Sequence, residues 1–103
     1  MTTKYEILRT NIFNKWFDKQ NDEVQEKVID NIDRIHEGNF SNCKLLRNGI
    51  FELKINYGKG IRIYYTKTTE TILILLYGGT DKKQQAKDIE KAIIIKEAVR
   101  REI

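Results

Sequence analysis

A chain of 103 residues with 40% hydrophobic and 33% charged side chains has the size and composition of one globular domain, and we expect a single domain over residues 1–103. Its longest apolar run, Ile72–Tyr77, is far too short to span a bilayer, and its beginning has no apolar signal region. We therefore expect a cytoplasmic protein without a membrane partner. One cysteine and one histidine exclude an internal disulfide and argue against a zinc site, so no metal and no cofactor is expected.

The net charge of +4 is unevenly distributed along the chain. Residues 11–37 hold four basic and seven acidic side chains, whereas residues 44–103 hold 13 basic and seven acidic ones. The second part is therefore the one expected to meet a polyanion, although an ordinary mixed surface would also explain this asymmetry.

The first third of the chain predicts one strand and two helices. Alternation over residues 4–9 favours a strand. Thr10 or Asn11 is placed to cap a first helix and Asn21–Asp22 a second one, which ends at Gly38–Asn39. Because their apolar positions repeat at helical spacing, we expect an αα-hairpin with a dry inner side and an acidic outer side.

The middle of the chain predicts three strands. Asn48–Gly49 marks a turn, and residues 51–57 and 61–66 alternate apolar and polar side chains on either side of a tight connection at 58–60. Residues 72–77 are apolar on both faces, which is typical of a central strand.

The last part of the chain predicts one long helix. It runs from Lys82 to about Arg101 and is capped by Thr80 or Asp81. The residues expected on its inner stripe are Ala86, Ile89, Ala92 and Ile93.

The resulting order, β-α-α-β-β-β-α, predicts an α+β fold in which an antiparallel sheet carries its helices on one side. The apolar positions of the hairpin 51–66 must then pack beneath the helices, and the polar positions project from an open, concave face. The side chains expected on this open face or at its rim are Lys54, Asn56, Arg62, Tyr64, Thr66, Lys82 and Lys83.

Three segments carry a resemblance to a known family. They are H-E-G-N-F (His36–Phe40), G-I-F-E-L-K-I-N-Y-G-K-G-I-R-I-Y-Y (Gly49–Tyr65) and I-L-I-L-L-Y-G-G-T-D-K-K-Q-Q-A-K-D-I-E-K-A (Ile72–Ala92). Together they closely resemble the addiction-module killer proteins, a phage-derived, Gp49-like branch of the RelE/HigB/ParE toxin superfamily. The resemblance covers nearly the whole chain.

A few positions depart from the pattern of that family. Ile61 stands where a tyrosine usually precedes the strand arginine, and Thr80 is inserted or substituted in the G-G-D-K turn. Lys83 and Gln84 stand where small hydroxyl residues are common. These changes leave the exact placement of Lys82 and Lys83 open.

The resemblance implies a compact RelE-like (microRNase-like) fold and a cognate antitoxin, usually a helix-turn-helix protein. Many superfamily members cleave mRNA on the ribosome, whereas another branch inhibits DNA gyrase without catalysis, and family membership alone does not choose between them. We favour a ribosome-dependent endoribonuclease (an mRNA interferase) that blocks translation, because gyrase-directed relatives tend to lack a cationic cluster on the sheet. A detoxified relic that only binds its antitoxin is a third interpretation.

The open face has side chains for cutting RNA without a metal. The RNA 2′-OH can attack the neighbouring phosphate if a base, a cation and an acid are in place. Arg62 is the first candidate for the cation, since a guanidinium grips phosphate in a fork, and its position matches the strand arginine of superfamily nucleases. Lys54 is a candidate general base or phosphate contact, and Lys82 and Lys83 are candidates for the leaving-group side or for a phosphate clamp.

Weaker candidates complete the expected site. Tyr64 is a candidate for stacking on a splayed base, with Asn56 and Lys87 as further RNA contacts. Gly78 and Gly79 would let RNA approach the backbone closely. Alternatively, Lys54 and Arg62 are ordinary strand residues that pair with Glu52 or Glu70.

Overall fold

The computed structural model describes residues 4–102, with side chains through residue 99, and this part forms a sheet of five strands and three α-helices. Residues 1–3 and 103 lie outside the described part. The expectation that the chain has no signal region concerns a segment that includes residues 1–3. None of the described helices combines the length and apolar character that crossing a membrane requires. The elements are β1 (Glu6–Arg9), α1 (Asn11–Asp18), α2 (Asp22–His36), β2 (Cys43–Leu45), β3 (Phe51–Ile55), β4 (Ile61–Lys67), β5 (Ile72–Gly79), a 3₁₀ turn (Lys82–Gln84) and α3 (Gln85–Glu102).

Side-chain caps begin both N-terminal helices at predicted positions. The Thr10 hydroxyl accepts a hydrogen bond from the Phe13 N–H at 3.0 Å and donates one to the Leu76 carbonyl oxygen at 3.1 Å. The Asn21 side chain accepts the N–H of Val24 at 2.9 Å. The cap on α1 therefore also attaches this helix to β5.

The strand order in the sheet is β1-β5-β4-β3-β2. The pairings β2–β3, β3–β4 and β4–β5 are antiparallel, but β1 lies parallel to β5 at the edge, so the predicted antiparallel sheet is corrected at this strand. The sheet is therefore mixed, because β1 joins it beside the last strand rather than beside its neighbour in sequence. The three-residue strand β2 was not predicted, since its alternation is too short to be seen.

Helices cover both faces of the sheet, so the prediction that all helices lie on one side is wrong. One core joins α1 and α2 to the apolar face of the hairpin and includes Phe13, Val28 and Ile63. A second core lies beneath α3 and includes Tyr64 and Leu76. The physical reason is that β5 is apolar on both faces, and each face needs a cover.

Three of the four residues predicted on the inner stripe of α3 face the core, and Ala86 does not. Ala92 and Ile95 are buried, Ile89 and Ile93 pack against them, and Ala86 is exposed. The first turn of the predicted helix is instead a 3₁₀ turn capped by Asp81, whose side chain accepts the Lys83 N–H at 3.0 Å. The α-helix therefore begins at Gln85, three residues later than predicted.

Candidate active site

Two predicted site residues are direct partners across the hairpin. Lys54 on β3 lies opposite Arg62 on β4 in the antiparallel register, so both side chains project from the same face of the sheet. Lys54 is exposed, whereas Arg62 is only 6% exposed. The predicted strand register is thus confirmed, but the face is only partly open, because α3 covers the half of it that holds Tyr64 and Thr66.

The uncovered part of this face holds a depression of about 390 Å³. Four of its eight lining residues are cationic, and none of these eight is acidic. A concave surface lined by one sign of charge concentrates ions of the opposite sign. The residues that line this cationic depression are Lys54, Asn56, Tyr57, Gly58, Lys59, Gly60, Arg62 and Lys82.

Arg62 reaches the depression from the buried side. Its Nε lies 3.9 Å from Oε2 of Glu52, a carboxylate that is only 1% exposed. At its other end, Nη1 lies close to Gly60, where a Cβ would be only 3.5 Å away. The guanidinium therefore has one edge toward a buried carboxylate and a terminal nitrogen toward the depression.

Glu52 itself has further partners. The side-chain amide of Gln85, the first residue of α3, donates to Oε2 of Glu52 at 2.8 Å. The ammonium of Lys44 lies 3.9 Å from Oε1. The structure therefore contains the pairing of Arg62 with Glu52, which the sequence offered as an alternative to a functional role. Arg62 makes this contact and also lines the cationic depression.

The lysines of the 3₁₀ turn lie at the rim, as expected. Lys82 lines the cationic depression and also an adjoining hollow of about 550 Å³, which it shares with Lys59, Asp81 and Lys83. Lys83 lines only the adjoining hollow. The turn thus brings Lys82 to the Lys54–Arg62 pair and leaves Lys83 one step removed.

The candidate RNA contacts lie in different environments. Asn56 is exposed and lines the depression, whereas Lys87 is exposed on α3 but lines neither hollow. Tyr64 is 0% exposed beneath α3, so the expectation that it stacks on a base is wrong. Burial, and after it the nearby Glu52 charge, raises the pKa of the Tyr64 hydroxyl well above its ordinary value.

The two glycines at the end of β5 serve packing within the protein. A Cβ at Gly78 would collide with the six-membered ring of Trp16, and one at Gly79 would collide with the carboxylate of Asp88. The expectation that these glycines open the backbone to RNA is therefore corrected: they let α1 and α3 approach the sheet.

Sequence reasoning missed three residues of the site. Lys59 was assigned only to a turn, and Glu52 was considered only as a surface partner. Gln85 was not singled out, although it contacts Glu52. Strand alternation places Glu52 on the face of Lys54, so its position was predictable, but its burial depends on how α3 packs.

Solved structures share this fold. A double arginine-to-alanine mutant of the E. coli toxin RelE in the free state matches with a TM-score of 0.67 and 16% identity, over 86% of this chain and 98% of that one. A chain of the toxin–antitoxin complex RelBE2 from Mycobacterium tuberculosis matches with a TM-score of 0.56 and 18% identity, over 76% of this chain and 99% of that one. The protein therefore has a RelE-like fold.

Sequence comparison narrows this class to a family. Residues 15–99 match the family described as "Phage derived protein Gp49-like". An uncharacterized protein of Haemophilus influenzae is 38% identical over 91 residues, which is 87% of this chain and 91% of the relative. The chain belongs to the phage-derived Gp49-like family, and the resemblance stated from its sequence is confirmed.

Proposed function

We propose that this protein is the toxin of a type II toxin–antitoxin system and that it cleaves mRNA on the ribosome, in the cytoplasm. The observation that carries the proposal is the cross-strand pair of Lys54 and Arg62 at a depression whose charged lining residues are all cationic. The RelE-like fold and the Gp49-like family support it, since the first structural relative is itself named a toxin.

The cationic depression is suited to hold one phosphodiester. Arg62 contributes terminal guanidinium nitrogens and Lys54 an ammonium, so negative charge on the phosphorane is met from two adjacent strands. In the proposed step, the 2′-oxygen forms a bond to phosphorus while the bond from phosphorus to the 5′-oxygen breaks. The products are a 2′,3′-cyclic phosphate and a free 5′-hydroxyl.

Two proton transfers complete this step. A general base takes the 2′-OH proton, and a general acid gives a proton to the leaving 5′-oxygen. Lys54 is a candidate for the base or for a contact to the phosphate, and Lys82, on the same depression, is a candidate for the acid. Lys83, on the adjoining hollow, is a candidate for clamping the next phosphate.

The shape of this site supports the proposed dependence on the ribosome. Tyr64 offers no ring to hold a base, because it is buried beneath α3. Tyr57 is the one aromatic residue among the eight that line the depression, and its hydroxyl donates to Glu23, so the depression presents mainly charges and turn backbone. Charges attract RNA but do not align a 2′-OH with the phosphorus, and alignment supplies a large part of such a rate. We infer that the decoding site of the ribosome supplies the alignment.

The proposal includes a cognate antitoxin. The second structural relative is part of a structure described as a toxin–antitoxin complex, which supports a partner of this kind. The expected antitoxin is a small helix-turn-helix protein encoded in the neighbouring reading frame, and co-purification of the two products tests this directly.

The test of the nuclease is Arg62→Ala, compared with Arg34→Ala on the exposed side of α2. After brief induction, 5′-end mapping of transcripts with and without translation should show cleavage for wild type and Arg34→Ala only, and only during translation. Circular dichroism confirms that both variants are folded. Cleavage by folded Arg62→Ala would reject the site, and intact mRNA with a DNA-damage response would favour a gyrase inhibitor instead.

A further inference from the structure

The proposed cleavage step gives no role to Glu52, although its carboxylate is buried beside the site. Glu52 is 1% exposed, points from the same strand face as Lys54, and does not line the cationic depression. A carboxylate is costly to bury unless a cation or hydrogen-bond donors compensate it. Glu52 therefore needs an explanation beyond ordinary strand packing.

The two ends of the Arg62 guanidinium lie in different surroundings, and only the Nε end is near Glu52. Nε of Arg62 is buried, forms no hydrogen bond to any described residue, and lies 3.9 Å from Oε2 of Glu52. That same oxygen accepts the hydrogen bond from Gln85 at 2.8 Å, which holds the carboxylate against the start of α3. Nη1 lies at the other end, beside Gly60, where the depression opens.

We propose that Glu52 is a positioning residue: its carboxylate, held by Gln85, orients the Arg62 guanidinium so that its terminal nitrogens face the cationic depression. Attraction between the carboxylate and the Nε edge restricts rotation of the side chain and leaves the terminal fork free for an anion. The anion class is a phosphodiester, an identity that rests on the proposed function. The orientation of Arg62 does not rest on it.

The test is Glu52→Gln, which keeps the size of the side chain and removes its charge. Arg62 is observed directly through its ¹⁵N Nε–Hε resonance, assigned by its absence in Arg62→Lys. We expect solvent exchange of this proton to become at least about tenfold faster in Glu52→Gln. An unchanged exchange rate in the folded variant overturns the proposal, whether or not the protein cleaves RNA.

Kinetics supply the second readout. In single-turnover cleavage of ribosome-bound mRNA, Glu52→Gln should lower the maximal rate by about 10- to 100-fold. The half-saturating concentration should change by less than about threefold, since Lys54, Lys59 and Lys82 still attract RNA. A change confined to half-saturation would contradict a positioning role.

Two further variants keep the test decisive. Gln85→Met has no donor for the carboxylate and should speed Nε–Hε exchange in the same direction by a smaller factor, so it replaces Glu52→Gln if that variant does not fold. Glu70→Gln, in the exposed turn before β5, is the matched control and should change neither readout. If wild type shows no cleavage while its Nε–Hε proton is protected in a Glu52-dependent way, the proposed function fails and this inference stands.

Discussion

Lys54 and Arg62 face each other across β3 and β4, yet solvent reaches only the lysine freely. The arginine is held between a buried carboxylate and the floor of the depression, whereas the lysine is a solvated charge at its edge. A fixed fork and a mobile ammonium serve different purposes in binding a phosphate. Replacement by another cationic side chain should therefore be tolerated better at Lys54 than at Arg62.

At position 54, a positive charge should be enough to support cleavage, whichever side chain carries it. We expect Lys54→Arg to cleave ribosome-bound mRNA within about tenfold of wild type, and Lys54→Ala to lose about 100-fold, because the exposed ammonium contributes charge near the phosphorane. Single-turnover cleavage rates measure both effects. If Lys54→Arg is as inactive as Lys54→Ala, the lysine acts instead as the general base.

Lys82 should contribute to RNA binding mainly through counterion release. On single-stranded RNA, each lost phosphate contact lowers the slope of log affinity against log salt by about 0.7. Lys82→Gln should show this change, whereas Lys19→Gln, which alters an exposed lysine at the end of α1, should not. Fluorescence anisotropy with a 2′-O-methyl oligonucleotide measures the slopes, and equal slopes for the two variants would remove Lys82 from the interface.

The strand register was predictable from the sequence, and the cover on the second face was not. Side chains alternate along a strand, so the turn at 58–60 was enough to place Lys54 and Arg62 on one face. Burial of Glu52 and Tyr64 depends on α3, which is distant in sequence and reaches them only through tertiary packing. The sequence feature that indicated a helix on this second face was the apolar pattern of β5, whose residues are apolar on both faces.

The parallel pairing of β1 with β5 was not predictable from the sequence, for a similar reason. A four-residue strand carries too little pattern to select its neighbour, and β1 pairs with β5, the strand farthest from it in sequence. Local signals did locate the caps at Thr10 and Asn21, because each cap acts on an N–H three residues away.

The buried hydroxyl of Tyr64 predicts a loss of stability in alkali. Since burial raises its pKa, the folded state keeps the proton that an unfolded tyrosine releases near about pH 10. The free energy of unfolding should therefore fall as pH rises above that value, and Tyr64→Phe should weaken this dependence. Urea unfolding followed by Trp16 fluorescence at several pH values measures it.

The same variant also tests whether Tyr64 contacts RNA. At neutral pH, Tyr64→Phe removes a buried hydroxyl that has no hydrogen-bond partner among the described residues, so stability should be equal or slightly higher. Cleavage of mRNA should be unchanged, because the ring is covered by α3. A large loss of cleavage at unchanged stability would restore the stacking role.

Packing of Trp16 on β5 should make Gly78 intolerant of any side chain. A Cβ at this position would lie 2.6 Å from atoms of the indole ring, so either α1 or the strand must shift. We expect Gly78→Ala to lower the free energy of unfolding by about 1–3 kcal/mol, the usual cost of overpacking. Gly58→Ala is a useful comparison, because a Cβ there meets nothing within 4 Å and the only cost is backbone strain at a φ of 58°.

A double variant shows whether the ring causes the effect. If Trp16 is the obstacle, Trp16→Ala removes it, and adding Gly78→Ala to that variant should cost much less than it costs in wild type. Urea unfolding of this series is followed by circular dichroism, since Trp16 is the one tryptophan of the chain. Additive losses would mean that the strand backbone, and not the indole, rejects the side chain. Because Gly78 lies directly opposite Ile63 on β4, this packing also supports the strand that carries Arg62, so cleavage should decline with stability across the series.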